Sequence, residues 1–428
     1  LTKTQAFGYI RVLNNYGGVL VKIWIKILTG SILGILLGIF LPGTDKAMEL
    51  FSYVNRLFIQ IGRYVVFPLV FFALVAGTYE LKREKKIFRV YGRTVLYLLL
   101  ATALLIIVGM VTVLVFSPER IPIIVEQEQA IRLPGLKVTL LGLFPENLFQ
   151  VLVGSGSIMA PLVLFAFLLG VNLTFDLRIT SPVVQLTDSL NRIFYHINSL
   201  LCELFGLAMI VISAYFIMTV KQYELALFKQ MLIIIGIDTA LIIFAVYPAL
   251  LYFFGGRQNP YKWLYAVIGP ALTAFFSGDN YLSVVMLAKH GKENLGVPRR
   301  VGSAVYPLFA IFGRTGTALV ASATFLLVLK SYSSLEITFG QVLWTLLFSM
   351  LISLTLGTVP GLGAYVALST LCALYGRGLQ EGYLILRPIA PLLISFGVLL
   401  DVLTSAFVSL LVARHEQIAQ EVDAYDFV

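Results

Sequence analysis

Two stretches of this chain are apolar enough for a membrane but broken in the middle. Trp263 to Phe276 and Tyr281 to Ala288 flank the polar break Ser277-Gly278-Asp279-Asn280. Val342 to Leu356 and Ala364 to Tyr375 flank the break Gly357-Thr358-Val359-Pro360-Gly361-Leu362-Gly363. Each arm is too short to cross a hydrocarbon core of about 30 Å at about 1.5 Å per residue. Lipid tolerates non-helical backbone at depth only where protein buries it or a wet cavity adjoins it. The two breaks satisfy that condition if they meet each other. Each pair of arms therefore reads as a helical hairpin that enters and leaves on one side, with the two tips walling a site near mid-membrane. The competing reading is two kinked helices whose Gly and Pro serve packing.

The rest of the chain fits a membrane setting. Of 428 residues, 59% are hydrophobic and 12% are charged, which is about half the charged share of an ordinary soluble chain. Lipid must be the solvent for most of that apolar surface. The formal charge of +9 sits in short loops beside apolar spans, which is a topology signal rather than a nucleic-acid footprint. Cys202 and Cys372 lie in apolar runs without metal-ligand spacing and read as small buried hydrophobes. His196, His290 and His415 are far apart in sequence, and no HExxH, GxSxG or CxxC pattern is present, so an enzyme is not expected. No cleavable signal peptide stands out.

Six apolar spans precede the first broken pair: Ile23 to Leu41, Leu57 to Leu81, Val95 to Phe116, Ile158 to Leu173, Ile197 to Val220 and Met231 to Phe254. Lys82, Arg83, Lys85, Lys86, Arg89 and Arg93 form the densest positive cluster and are placed in the cytoplasm, with both termini on that side. A seventh span, Val301 to Leu329, is interrupted at Gly313-Arg314-Thr315-Gly316-Thr317, and an eighth, Leu384 to Val412, carries Asp401. The fold class is thus all-α integral membrane, with eight membrane helices and two re-entrant hairpins. A hairpin followed by a helix occurs twice with opposite entry sides, the pattern of an inverted-topology repeat. The chain divides into an N-terminal cytoplasmic segment (1–21), helices one to six (22–256) and a C-terminal core (257–428).

Ionisable residues inside spans are costly and mark function. Asp238, Asp279, Arg314 and Asp401 are the four of interest. Arg314 and Asp401 are expected to pair, either as a structural tie between the seventh and eighth helices or as part of a substrate site. Arg56 and Arg63 are expected to snorkel to an interface or line a helix contact.

At these residues the chain resembles the dicarboxylate/amino acid:cation symporter family, which includes glutamate and aspartate transporters. Arg63 to Gly77 (RYVVFPLVFFALVAG) looks like the family's second helix. Pro307 to Leu319 (PLFAIFGRTGTAL) stands where the family has a Pro-Leu segment leading into Asn-Met-Asp-Gly-Thr. Gly357 to Ala364 (GTVPGLGA) resembles its second hairpin tip, and Leu399 to Arg414 (LLDVLTSAFVSLLVAR) its eighth helix. The resemblance covers almost the whole chain. It implies a homotrimer in the cell membrane, with a scaffold (helices one, two, four and five) and a transport part that slides as an elevator (hairpins and helices three, six, seven and eight).

The resemblance also implies site residues, and departures among them. Substrate is expected at Ser277, Gly278, Asp279, Asn280, Arg314, Thr317, Val359, Pro360, Gly361, Gly363, Asp401, Thr404, Ser405 and Val408. A coupling network is expected at Asp238, Arg314, Thr315 and Asp401. Gly313 and Thr315 stand at the family's sodium-binding asparagine and aspartate, Arg314 at its methionine, and Val408 at a further asparagine ligand. Asp401 matches the aspartate that binds a substrate amino group. Thr404 stands where acidic-amino-acid carriers have the arginine for a side-chain carboxylate. With sodium ligands missing and a permanent guanidinium added, the expectation is a symporter for a small amino acid or dicarboxylate, weakly dependent on sodium or independent of it, and open to proton coupling. No cofactor is expected beyond the co-transported cation. The alternatives are a sodium-coupled acidic amino acid symporter, or a channel or sensor built on the same fold.

Overall fold

The computed structural model describes residues 22–121, 141, 142, 144, 145, 147, 151, 159–256, 259–332, 336–358 and 361–428. Among these residues the regular structure is helical throughout. Four helices come first: α1 (Ile23–Phe40), α2 (Asp45–Tyr64), α3 (Val66–Arg83) and α4 (Ile87–Phe116). Then follow α5 (Ala160–Asn172), α6 (Leu177–Lys221), α7 (Lys229–Leu241) and α8 (Tyr247–Phe254), the last two joined by a π-helical turn at Ile242–Val246. The C-terminal part holds α9 (Lys262–Ala266), α10 (Ile268–Ser277), α11 (Asn280–Glu293), α12 (Arg299–Phe312), α13 (Thr315–Tyr332), α14 (Phe339–Ser353), α15 (Gly363–Tyr375) and α16 (Ala390–His415).

Among the described residues, seven helical units are long and apolar enough to cross a membrane, which makes this a multi-pass membrane protein. Two begin well before the apolar runs that announce them. The second starts at Asp45 and includes the amphipathic α2; α6 starts at Leu177, where Asp176 accepts the Arg178 amide as its N-cap. The fourth expected span is the shorter α5, whose 13 residues rise only about 20 Å.

Close helix approach is written into α1. A Cβ on Gly30 would sit 2.1 Å from the Gly206 carbonyl oxygen of α6, and one on Gly34 would sit 2.0 Å from the Ser213 hydroxyl. Small residues four apart let two backbones touch where apolar burial gives helices no preference for each other over lipid.

The C-terminal helices pack most deeply. The unit Arg299–Tyr332 is 94% buried over its apolar window, against 33% for α1. α13 lies against α4, α14, α15 and α16, while α10 packs on both α11 and α16. The Lys22 ammonium donates to the Tyr425 carbonyl oxygen, and Arg93 pairs with Glu416 at 2.5 Å. The start of α1, the positive cluster and the chain after α16 thus share one end of the bundle. Cys202 and Cys372 are free and buried.

Candidate functional site

The first break and the interruption of the seventh span arise from local chemistry. Gly278 closes α10 in the left-handed region (φ +60°), where a Cβ is strained. Asp279 then opens α11, its Oδ1 accepting the Leu282 amide at 2.9 Å. α12 ends at Phe312, and after Gly313 and Arg314 the chain resumes as α13. The orphan amides of α13 are capped from another helix: Asp401 Oδ1, on α16, accepts Gly316 N at 2.8 Å and Thr317 N at 3.0 Å. Its Oδ2 accepts the Thr317 hydroxyl at 2.6 Å and Asn280 Nδ2 at 3.1 Å. One carboxylate therefore ties α11, α13 and α16 together.

Arg314 is fully buried, and its Nη1 lies 3.7 Å from Asp401 Oδ2, the pairing expected from the sequence. The same nitrogen is 3.9 Å from where a Cβ on Gly363 would stand, so the guanidinium reaches the second break. Tyr281 joins the two breaks directly, its hydroxyl donating to the Gly357 carbonyl at 2.6 Å.

A second arginine arrives from outside this core. Arg63, in the last turn of α2, forms an ion pair with Asp279 Oδ2, and its Nη2 is 3.7 Å from a Cβ position on Gly361. Sequence reasoning placed Arg63 at an interface or helix contact and missed this partner. Snorkelling accounts for an arginine beside an apolar run just as well, so the sequence held no signal for the pair. Arg56 is exposed and donates to Ser52 in its own helix.

Ser277 donates to Thr273 O, Thr317 and Asn280 serve Asp401, and Gly361 and Gly363 face the arginines. Val359 and Pro360 lie outside the described residues. Thr404 donates to Leu400 O at 2.6 Å and accepts the Thr315 hydroxyl at 2.9 Å. The Tyr247 hydroxyl lies 2.5 Å from Thr404 Oγ1 and must therefore be the donor there. Tyr247 too was missed, since a tyrosine in an apolar helix reads as core. Val408 and Ser405 are buried on α16, and the Ser405 hydroxyl has no hydrogen-bond partner among the described residues. Asp238 is apart from this cluster: its Oδ2 accepts the Thr112 hydroxyl of α4 at 2.9 Å, and its Oδ1 has no partner among the described residues.

The arrangement holds two carboxylates and two guanidiniums, balanced in charge. Asp401 has two oxygens and four donors, so its lone pairs are filled. Thr404 Oγ1 gives one proton and takes two. Neither has an oxygen to spare for a cation, and among the described residues no three His, Cys, Asp or Glu side chains converge.

A family model described as the sodium:dicarboxylate symporter family matches residues 23–415. Among curated relatives, a proton/sodium-glutamate symport protein of Geobacillus stearothermophilus is 22% identical over 360 residues, covering 81% of this chain and 83% of the relative. A proton/sodium-glutamate symport protein of Bacillus subtilis (strain 168) is 24% identical over 362 residues, covering 81% and 82%. A C4-dicarboxylate transport protein of the same organism is 21% identical over 417 residues, covering 94% and 96%.

Proposed function

Because the chain belongs to the sodium:dicarboxylate symporter family, we propose that it is a secondary active symporter for a small carboxylate, with Arg314 standing electrostatically where relatives bind sodium. The observation that carries this reading is the buried Arg314–Asp401 pair. A guanidinium keeps its charge under ordinary conditions and cannot leave the site. It supplies a fixed positive charge, so sodium coupling is weak or absent.

The same geometry bears on the substrate. The sequence leaves a small amino acid and a dicarboxylate both open. An ammonium group at Asp401 would have to displace donors that already fill both oxygens. A carboxylate instead complements the guanidinium of Arg314 in charge and in the geometry of its N–H fork. A substrate without an amino group is therefore favoured, and the C4-dicarboxylate transport relative makes a short dicarboxylate the first choice. Proton coupling is assigned to Asp238, since its Oδ1 alone among the expected coupling carboxylates lacks a hydrogen-bond partner among the described residues. The reading includes eight membrane helices, two re-entrant hairpins related by an inverted repeat, a homotrimer, and elevator motion of the hairpins with helices three, six, seven and eight. It places the protein in the plasma membrane with cytoplasmic termini.

The test is uptake of labelled succinate into liposomes holding the purified protein. Saturable uptake, stimulated by succinate inside and persisting in choline buffer, supports the proposal. Non-saturating flux with single-channel currents, or uptake that disappears without sodium, rejects it.

A further inference from the structure

We propose that Arg63 is a second carboxylate ligand of this site, held in reserve by Asp279, and that it sets the preference for substrates with two carboxylates. The inference rests on the symporter reading above and names a residue which that reading does not require. Arg63 belongs to α2, and its partner is 216 positions away at the tip between α10 and α11. Its Nη2 is also 3.7 Å from a Cβ position on Gly361, so the guanidinium lies where the two breaks meet.

The Arg63–Asp279 contact is incomplete on the arginine side. An arginine matches a carboxylate best through two parallel N–H bonds. Asp279 engages Nη2 alone, while Nε of Arg63 is buried with no hydrogen-bond partner among the described residues. An unmade bond at a buried donor is unfavourable, and a substrate carboxylate bridging Nε and Nη2 would remove that defect. The Arg63 side chain is 36% exposed, whereas Arg314 is sealed. Arg63 is thus the more accessible of two guanidiniums facing glycines two positions apart, Gly361 and Gly363. A ligand with a carboxylate at each end can engage both.

Asp279 has two separable roles. Its Oδ1 caps α11, a task asparagine performs equally well. Its negative charge serves Arg63 and competes with the substrate for it. Asp279→Asn therefore keeps the cap and releases Arg63, and this gives the test its sign.

The experiment is calorimetric titration of the purified full chain with succinate and, as a single-carboxylate probe of equal length, butyrate. Arg63→Gln is expected to weaken succinate by about tenfold or more and to change butyrate by less than about threefold. Arg63→Lys recovers little, because an ammonium lacks the planar fork. Asp279→Asn tightens succinate. If Asp279→Asn instead weakens succinate as Arg63→Gln does, the pair is a structural tie and the proposal is overturned; succinate binding unchanged by Arg63→Gln overturns it as well. Arg314→Met separates the two readings: succinate binding that it abolishes and Arg63→Gln spares removes only the role of Arg63. Binding indifferent to both variants removes the site itself.

Discussion

The Arg314–Asp401 and Arg63–Asp279 pairs lie at the same junction and are built in opposite ways. Asp401 is gripped by two amides, a hydroxyl and a carboxamide besides its arginine, all from α11 and α13. Asp279 has one amide and one arginine, and that arginine comes from α2 and is partly exposed. The first pair is closed inside the C-terminal core, where the helices are almost wholly buried. The second bridges that core to a helix that also packs on α3 and α6. A carboxylate that fills all its acceptor sites fixes geometry; one whose only charged partner is partly exposed can exchange it. In the proposed function the first arginine is the fixed charge of the site, and the second is the one that can exchange its carboxylate partner for a ligand.

That contrast can be broken most forcefully at Asp401. Asp401→Ala removes the cap of α13 and the counter-charge of Arg314 together. The expected loss is about 3–5 kcal/mol, the range for stripping one partner from a buried pair, read as a large fall in melting temperature in detergent. Arg314→Met leaves the four donors on Asp401 and should cost about 3 kcal/mol. Sodium should raise the melting temperature of that variant and not of the wild type, since the vacated site then lacks its fixed cation. Thr317→Val deletes one bond to the carboxylate, worth about 1.5–3 kcal/mol, and urea titration checks it. Arg63→Gln should cost less in stability than Arg314→Met, because the Arg63 side chain is partly exposed and glutamine keeps an N–H donor for Asp279. A stability loss at Arg63 as large as at Arg314 would erase the distinction between the two pairs.

The membrane helices were readable because an uninterrupted apolar run has few other uses. Helix starts were not: α2 opens Asp45-Lys46 and α6 carries Asp188 and Arg192, polar faces that a search for apolar runs discards. The Arg314–Asp401 pair was legible because opposite charges inside apolar spans must find partners. Arg63 was not, because its partner is a tertiary neighbour. Tyr281 and Tyr247 escaped for the same reason: their hydroxyl partners, Gly357 O and Thr404, are set by how helices pack rather than by spacing.

The central claim is that Arg314 replaces a bound sodium ion, and the most direct measurement is the succinate dissociation constant of the wild-type protein across a sodium titration at constant ionic strength. The account predicts a constant that stays flat from sodium-free choline buffer upward. Affinity that climbs steeply with sodium would contradict it.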